Sequence, residues 1–283
     1  MIPAAFGYRR PSSVDEAVAL LASDDEAKLL AGGHSLLPMM RLRLARPTTL
    51  IDLGGLRGEL SYIRDDGGVA AIGAMTRHHD VATSELLVRH VPLLAHAASM
   101  VGDPQVRHRG TIGGSLAHAD PAADLPAVAL VLDAVMVVTG PSGTREVAGG
   151  EFFQGFLETA LQAGEMVREI RVPIPQEGHG WGFVKFNRRA QDWATVAVAA
   201  LLERDGGAVR RAAVGLANMG TTPLRARGVE EALVGRGADG IDAAAQRADE
   251  GTSPASDIAA SAEYRRHLAR VLTARALGEA FAR

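Results

Sequence analysis

The spacing of apolar positions changes several times along this chain, and each change predicts an element. Residues 12–22 (SSVDEAVALLA) put Val14, Ala17, Val18 and Leu21 on one stripe at helical spacing, with Ser12 or Ser13 as the cap. Residues 27–31 and 48–53 are short apolar runs of strand length, the first running into Gly32-Gly33. Residues 60–74 read as two strands around Asp66-Gly67, a hairpin turn. From about Arg77 to Val101 the pattern is helical, broken at Pro92, and residues 110–115 form a second glycine-rich turn. Residues 124–133 read as a buried helix capped by Asp124, with Pro126 in its first turn. Residues 134–139 and 144–148 make another hairpin over Pro141-Ser142-Gly143.

The character then shifts. Residues 166–172, 182–187, 194–203 and 208–217 read as strands, the last two joined by Asp205-Gly206-Gly207. Residues 225–233 and 263–282 read as helices, and the Gly/Ala/Ser-rich stretch 235–254 as a loose connector. The Pro/Gly-rich run PIPQEGHG, residues 173–180, predicts a domain boundary. A chain of 283 residues accommodates two or three compact units, and no internal repeat is visible.

Composition narrows the function. A net charge of -3 gives no basic footprint, which sets nucleic acid aside as a partner. No uncharged apolar run reaches the length of a transmembrane helix. The opening MIPAAFGYRRPSS lacks the order of a signal peptide, so a cytoplasmic protein is expected. Cys is absent, which excludes disulfides and any cysteine-ligated zinc, haem or iron–sulfur site on this chain. Redox chemistry here would need an organic cofactor or a partner. The nine His form no metal pattern: His78-His79 are adjacent and HExxH is missing. GxSxG is also missing, because Ala117 stands where its second Gly would be.

Two glycine-rich segments remain. Leu30-Ala31-Gly32-Gly33-His34-Ser35-Leu36 follows a strand and leads into a helical stretch; Thr111-Ile112-Gly113-Gly114-Ser115 has the same ingredients. Paired glycines let backbone N–H groups approach a phosphate without Cβ obstruction and form an anion-binding concavity. Alone, such a pair reads more readily as an ordinary turn, and neither segment is a Rossmann fingerprint or a P-loop. Taken singly, Lys185 in GFVKF reads as an exposed strand lysine, Asp124 as a helix cap and Trp193 as core.

Order and context change the reading. The segments AGGHSLLPMMRLRLARPTTLIDL, IGAMTRHHDVATSELL and RHRGTIGGSLAHADPAADLPAVALVLDA, in this sequence, resemble the flavoprotein (medium) subunit of the carbon monoxide dehydrogenase/xanthine dehydrogenase family. KFNRRAQDWATVAVAA and EYRRHLARVLTARAL extend the resemblance over nearly the whole chain, and the carbon monoxide dehydrogenase branch is the nearest. The resemblance implies an α+β fold. An FAD-binding domain of p-cresol methylhydroxylase type, residues 1–177 with subdomains of about 1–56 and 57–177, would precede a smaller C-terminal domain, 178–283. That second domain would carry a three-stranded antiparallel sheet and helices, with FAD in the cleft between the two.

Carried over by motif, Leu30, Ala31, Gly32, Gly33, His34, Ser35 and Leu36, with Thr111, Gly113, Gly114 and Ser115, would hold the diphosphate and ribityl parts. His118 and Asp124 match cofactor-lining positions, and Val101 and Val167 match apolar positions near the adenine or the flavin. Lys185 would tune the pyrimidine side of the ring, and Asp192-Trp193 would lie beside it, with Trp181 the next candidate for an aromatic lid. Many relatives carry Asn where this chain has Ser115, and often Tyr where it has Trp193. The implied role is electron transfer in a dimer of heterotrimers. A large subunit would hold the molybdenum cofactor and a small one the [2Fe-2S] clusters. FAD here would pass electrons to a quinone, oxygen or NAD, with peripheral contact to a membrane partner at the inner face. Carbon monoxide is the leading substrate, an aldehyde or N-heterocycle next. A stand-alone flavin oxidoreductase and a non-enzymatic nucleotide-binding assembly protein are the alternatives.

Overall fold

The computed structural model describes residues 2–175 and 178–283; the expected domain boundary between 177 and 178 therefore touches residues outside the described ones. Near the N-terminus, strands Gly7–Arg9, Lys28–Leu30 and Thr49–Asp52 pair in parallel, with Thr49–Asp52 in the middle. The helix Val14–Ala22 precedes the second of them. Ser13, not Ser12, is its cap, its hydroxyl accepting from Glu16 N at 3.1 Å, while the Glu16 carboxylate reaches back to Ser12. Val14, Ala17 and Val18 are buried as the stripe predicts.

A second sheet has five antiparallel strands in the order Ile63–Asp65, Val69–Gly73, Met166–Pro173, Val135–Gly140 and Gly143–Ala148. The hairpin at Asp66-Gly67 closes with Asp66 N donating to Val69 O at 2.8 Å. Leu60, Met75 and Met166 pack with Val14 and Ile51, so one apolar cluster crosses the expected subdomain border. The predicted helical stretch is three helices, His78–Thr83, Glu85–His90 and Pro92–Ser99. Pro92 opens the last, as expected, while an extended Ser84 makes the earlier break.

In the C-terminal part, His179–Phe186, Val196–Asp205 and Ala208–Ala217 form an antiparallel sheet, and the two-residue strand Leu224–Arg225 adds an edge. The 21-residue helix Ala262–Ala282 lies across it. The approach is so close that a Cβ on Gly180 or Gly182 would collide with the carbonyls of Ala280 and Ala276. Residues 235–254 are not a loose connector. They hold the turn Ala238–Gly240 and the helix Ile241–Ala245, with Ile241, Ala244 and Ala248 in the core. Short alanine side chains let this run seat itself, and composition alone misread it as flexible.

The helix Asp124–Val131 is buried at all eight positions. One hydrophobic cluster surrounds it: Val128, Met136 and Ile170 from the first part meet Ala197, Ala199 and Ala213 from the second. A Cβ on Gly215 would lie 2.6 Å from Ala127 O, so the helix backbone rests directly on the C-terminal sheet. The two halves thus share a continuous core, and the chain segments leading into and out of this helix lie where they meet.

Candidate functional site

The strand Lys28–Leu30 delivers the chain into the first glycine segment. Gly33 turns it with φ +78, a left-handed conformation that suits glycine, and Ser35 begins the helix Leu36–Arg41 without a side-chain cap bond. Among the described residues, the N–H groups of Gly32, Gly33, His34 and Ser35 have no protein acceptor. His34 and Ser35 are exposed, and Leu30, Ala31 and Leu36 are half-buried around them. Four successive free donors at a helix start make a concave, electropositive cradle suited to an anion.

The second segment is not a loop. Residues 112–118 form the helix Ile112–His118, with Thr111 as its cap. Its N–H groups are already donated: Ile112 to Thr76 O at 3.0 Å, Gly113 to Ala74 O at 3.0 Å, Gly114 to Thr111 Oγ1 at 3.2 Å and Ser115 to Thr111 O at 3.0 Å. Thr111 and Gly113 are buried, and a Cβ on Gly113 would sit 2.5 Å from that of Ala74. These two residues build scaffold, whereas Gly114 is exposed and Ser115 half-buried. The two segments touch. A Cβ on Gly32 would lie 2.5 Å from Arg109 O and 2.7 Å from Gly110 Cα, and one on Gly114 would lie 3.8 Å from the Ala31 Cβ.

Behind this contact lies His78, which the sequence offered only as half of an unusable His pair. Its backbone N–H donates to Gly110 O at 3.0 Å, and its ring occupies the space where a Gly110 Cβ would go. Nδ1 has no partner among the described residues, and burial, aided by His34 and Arg107, pushes the imidazole pKa down to about 4. No periodicity signals such a residue, because its role comes from the chain packed over it.

Asp124 is not the cap of its helix. Ala123 is the cap residue, and Asp124, 5% exposed, opens the first turn with Oδ2 2.7 Å from Lys185 Nζ. The Lys185 side chain is 1% exposed, not the exposed strand lysine of the local reading, and it also donates to Met100 O at 3.2 Å. Asp124 Oδ1 is buried without a partner among the described residues. Burial pushes the Asp124 carboxyl up to about 6, and the Lys185 ammonium pulls the other way. The pair joins the two halves of the molecule, with Val101 half-buried one residue beyond Met100.

Trp193 is 68% exposed on the segment between Phe186 and Val196, so it is not core, and the following strand begins two residues later than predicted, at Val196. Asp192 is half-buried beside it, and His118 is half-buried at the end of its helix. Val167 is apart from the group, buried in the core opposite Val138. Trp181 is taken up by packing: Arg283 lies 3.7 Å over its ring, and His96 5.3 Å from it. Among the described residues no His/Asp/Glu cluster could hold a metal, and no helix is long and apolar enough to cross a membrane.

Residues 4–175 match the family described as FAD binding domain in molybdopterin dehydrogenase, and residues 181–280 match the CO dehydrogenase flavoprotein C-terminal domain. The chain is 43% identical over 286 residues to the carbon monoxide dehydrogenase medium chain of Afipia carboxidovorans, covering 100% of this chain and 99% of that one. It is 36% identical over 281 residues to the glyceraldehyde dehydrogenase medium chain of Sulfolobus acidocaldarius, covering 99% of each. A chain of the solved carbon monoxide dehydrogenase of Hydrogenophaga pseudoflava, in a form lacking the Mo-pyranopterin moiety, superposes with a TM-score of 0.97 at 44% identity, covering 100% of this chain and 99% of that chain. With both halves matched by the two domains of one kind of flavoprotein and the whole length shared with its medium chains, this protein belongs to the FAD-binding medium-subunit family of the molybdenum hydroxylases.

Proposed function

We propose that the cleft between domains 1–177 and 178–283 holds FAD and that the chain is the electron-exit subunit of a molybdenum-containing carbon monoxide dehydrogenase. The observation that carries the cofactor site is the run of four backbone N–H groups, Gly32 to Ser35, without a protein acceptor among the described residues. They fit a diphosphate, whose charge they would meet without a Lys or Arg. Gly114, exposed and without a side chain, and Asp124 Oδ1, buried without a partner among the described residues, fit the same occupant, the first by allowing close approach of its backbone and the second as an acceptor for a buried donor.

Leu30, Ala31 and Leu36 line the cradle, and Gly114 and Ser115 close its far wall. Thr111 and Gly113 act indirectly by fixing that wall. His118 and Val101 line the rest of the cofactor, and Val167 stays in the core behind it. Lys185, held by Asp124, supplies positive charge beside the ring, and Asp192 and Trp193 cover it. Bound FAD supplies the redox chemistry, receiving electrons and delivering them to an acceptor. The polypeptide binds it, orients it, excludes water from one face and sets the local field.

Carbon monoxide as the substrate of the complex rests on the full-length likeness to medium chains of that name, in two organisms at 43% identity. A large molybdenum-binding subunit and a small iron–sulfur subunit complete the assembly, two copies of each, in the cytoplasm at the inner face of the membrane. Purified complex should carry about one FAD per copy of this chain, released into the supernatant by acid because no Cys is present for a thioether link. The chain alone should not oxidise carbon monoxide. A colourless complex would overturn the cofactor; substrate bleaching of flavin by the isolated chain would favour a stand-alone oxidoreductase.

A further inference from the structure

Asn218 follows the strand Ala208–Ala217 with φ +62, a left-handed conformation in which asparagine is the commonest non-glycine visitor. From there it makes two hydrogen bonds to different parts of the molecule. Its backbone N–H donates to Pro121 O at 2.7 Å, and its side-chain Nδ2 donates to Ala194 O at 2.7 Å. Pro121 belongs to the segment between His118 and Asp124 in the first half. Ala194 is the residue after Trp193. One residue, through its side chain and its backbone N–H, therefore links the carbonyl that follows Trp193 to the segment flanked by His118 and Asp124.

The remaining anchors of the 187–195 segment do not do this. Thr195 N donates to Phe186 O at 2.8 Å, which only closes the base of the segment. Thr195 O accepts from Arg265, a guanidinium 1% exposed that also bonds Ala255 O and Asp257, all within the C-terminal half. Asn187 Nδ2 and Asp192 N both donate to Arg189 O, at 2.7 and 3.0 Å, and stay within the segment. Among the described residues the Trp193 ring has no aromatic or cationic partner of its own. Its neighbour Ala194 reaches the first half in two ways, through its side chain in the shared core and through its carbonyl on Asn218, and the carbonyl contact is the one a single polar side chain controls.

We propose that Asn218 is a positioning residue for the indole of Trp193, holding it over the cofactor cleft by clamping Ala194 O to the Pro121 segment. This rests on the FAD reading above, with Trp193 as the cover of the ring. The backbone conformation supplies a clean test. Asn218→Gly keeps the left-handed φ and the N–H to Pro121 O and deletes only the amide donor.

In the purified complex, flavin fluorescence, the oxygen reoxidation rate of the reduced flavin and the melting midpoint would be measured for wild type, Asn218→Gly, Trp193→Ala and the double variant. Asn218→Gly should raise fluorescence and change the oxygen rate in the same direction as Trp193→Ala, by roughly two- to tenfold, the range that loss of one aromatic contact allows. The double variant should match Trp193→Ala, since both changes act on one element. Asn218→Asp, the same size without the donor, should reproduce the effect and is the deciding variant if the Gly variant loses its flavin. Wild-type fluorescence and oxygen rate in both Asn218 variants, with Trp193→Ala altered, would overturn the clamp and leave the cofactor reading standing. Effects that add in the double variant would overturn it as well. No change in Trp193→Ala would remove Trp193 from the cofactor, and the clamp's role with it.

Discussion

In the first glycine segment the N–H groups of Gly32 to Ser35 meet no acceptor among the described residues; in the second those of Ile112 to Ser115 are all donated inward, to Thr76, Ala74 and Thr111. As strings, AGGHS and TIGGS are near twins. The difference comes from what lies on either side. The first leaves a strand and enters a six-residue helix whose cap makes no side-chain bond. The second runs beside residues 74–77, and Thr111 both caps the helix and bridges to Arg77. Glycine serves vacancy in one place and close packing in the other. Two similar glycine strings therefore need not play one part: among the described residues one leaves its N–H groups without acceptors, and the other spends them on the fold.

The largest test of this contrast is Gly33→Val. A β-branched residue at φ +78 is strongly disfavoured, and its side chain enters the cradle beside Leu37. Flavin content in the purified complex should fall to near nothing, while Arg270→Ala, on the far C-terminal helix, leaves it unchanged. Full flavin in the Val variant would break the assignment of the cradle.

His78 gives the next effect, through the wall. Its folded pKa of about 4 lies below the ordinary 6.5, so the unfolded chain takes up the proton first. The stability this neutral imidazole contributes is complete above pH 6.5 and is lost as pH falls toward 4, on the order of 3 kcal/mol in all. Urea denaturation at pH 7, 5.5 and 4.5 should show a shallower acid decline in His78→Gln than in wild type. Parallel declines would mean that His78 is not the group that titrates.

The smallest effect separates two neighbouring glycines. Gly113→Ala forces a Cβ to 2.5 Å from Ala74 and should cost about 1–3 kcal/mol of folding stability, with flavin lost only as the fold loosens. Gly114→Ala brings a Cβ to 2.7 Å from Thr111 Oγ1 and 3.8 Å from Ala31 on an exposed residue beside the first glycine segment, and should weaken FAD retention more than it lowers the melting midpoint. Melting curves and flavin titrations on the two variants give the comparison; equal behaviour would erase the distinction between wall and cradle.

Much of the architecture was legible in one dimension because its causes are local. The stripe Val14, Ala17, Val18, the Asp66-Gly67 and Pro141–Gly143 turns and the three long C-terminal strands follow from side-chain period and turn chemistry, which act over a few residues. The absence of Cys settled that no iron–sulfur cluster is ligated by this chain, and the two glycine strings, with their surroundings, marked the family.

What only the tertiary structure decided involves partners far apart in sequence. Asp124 looked like a cap and Lys185 like a surface lysine until the chain, 61 positions on, folded back and buried them against each other. Residues 235–254 looked loose because small side chains carry little periodic signal, yet small side chains are what let the run pack. Which glycine segment keeps its donors free depended on whether residues 74–76 and Thr111 offered acceptors beside it. A backbone N–H is the same group in every residue; only its neighbours in space determine whether it is spent on the fold or left for a ligand.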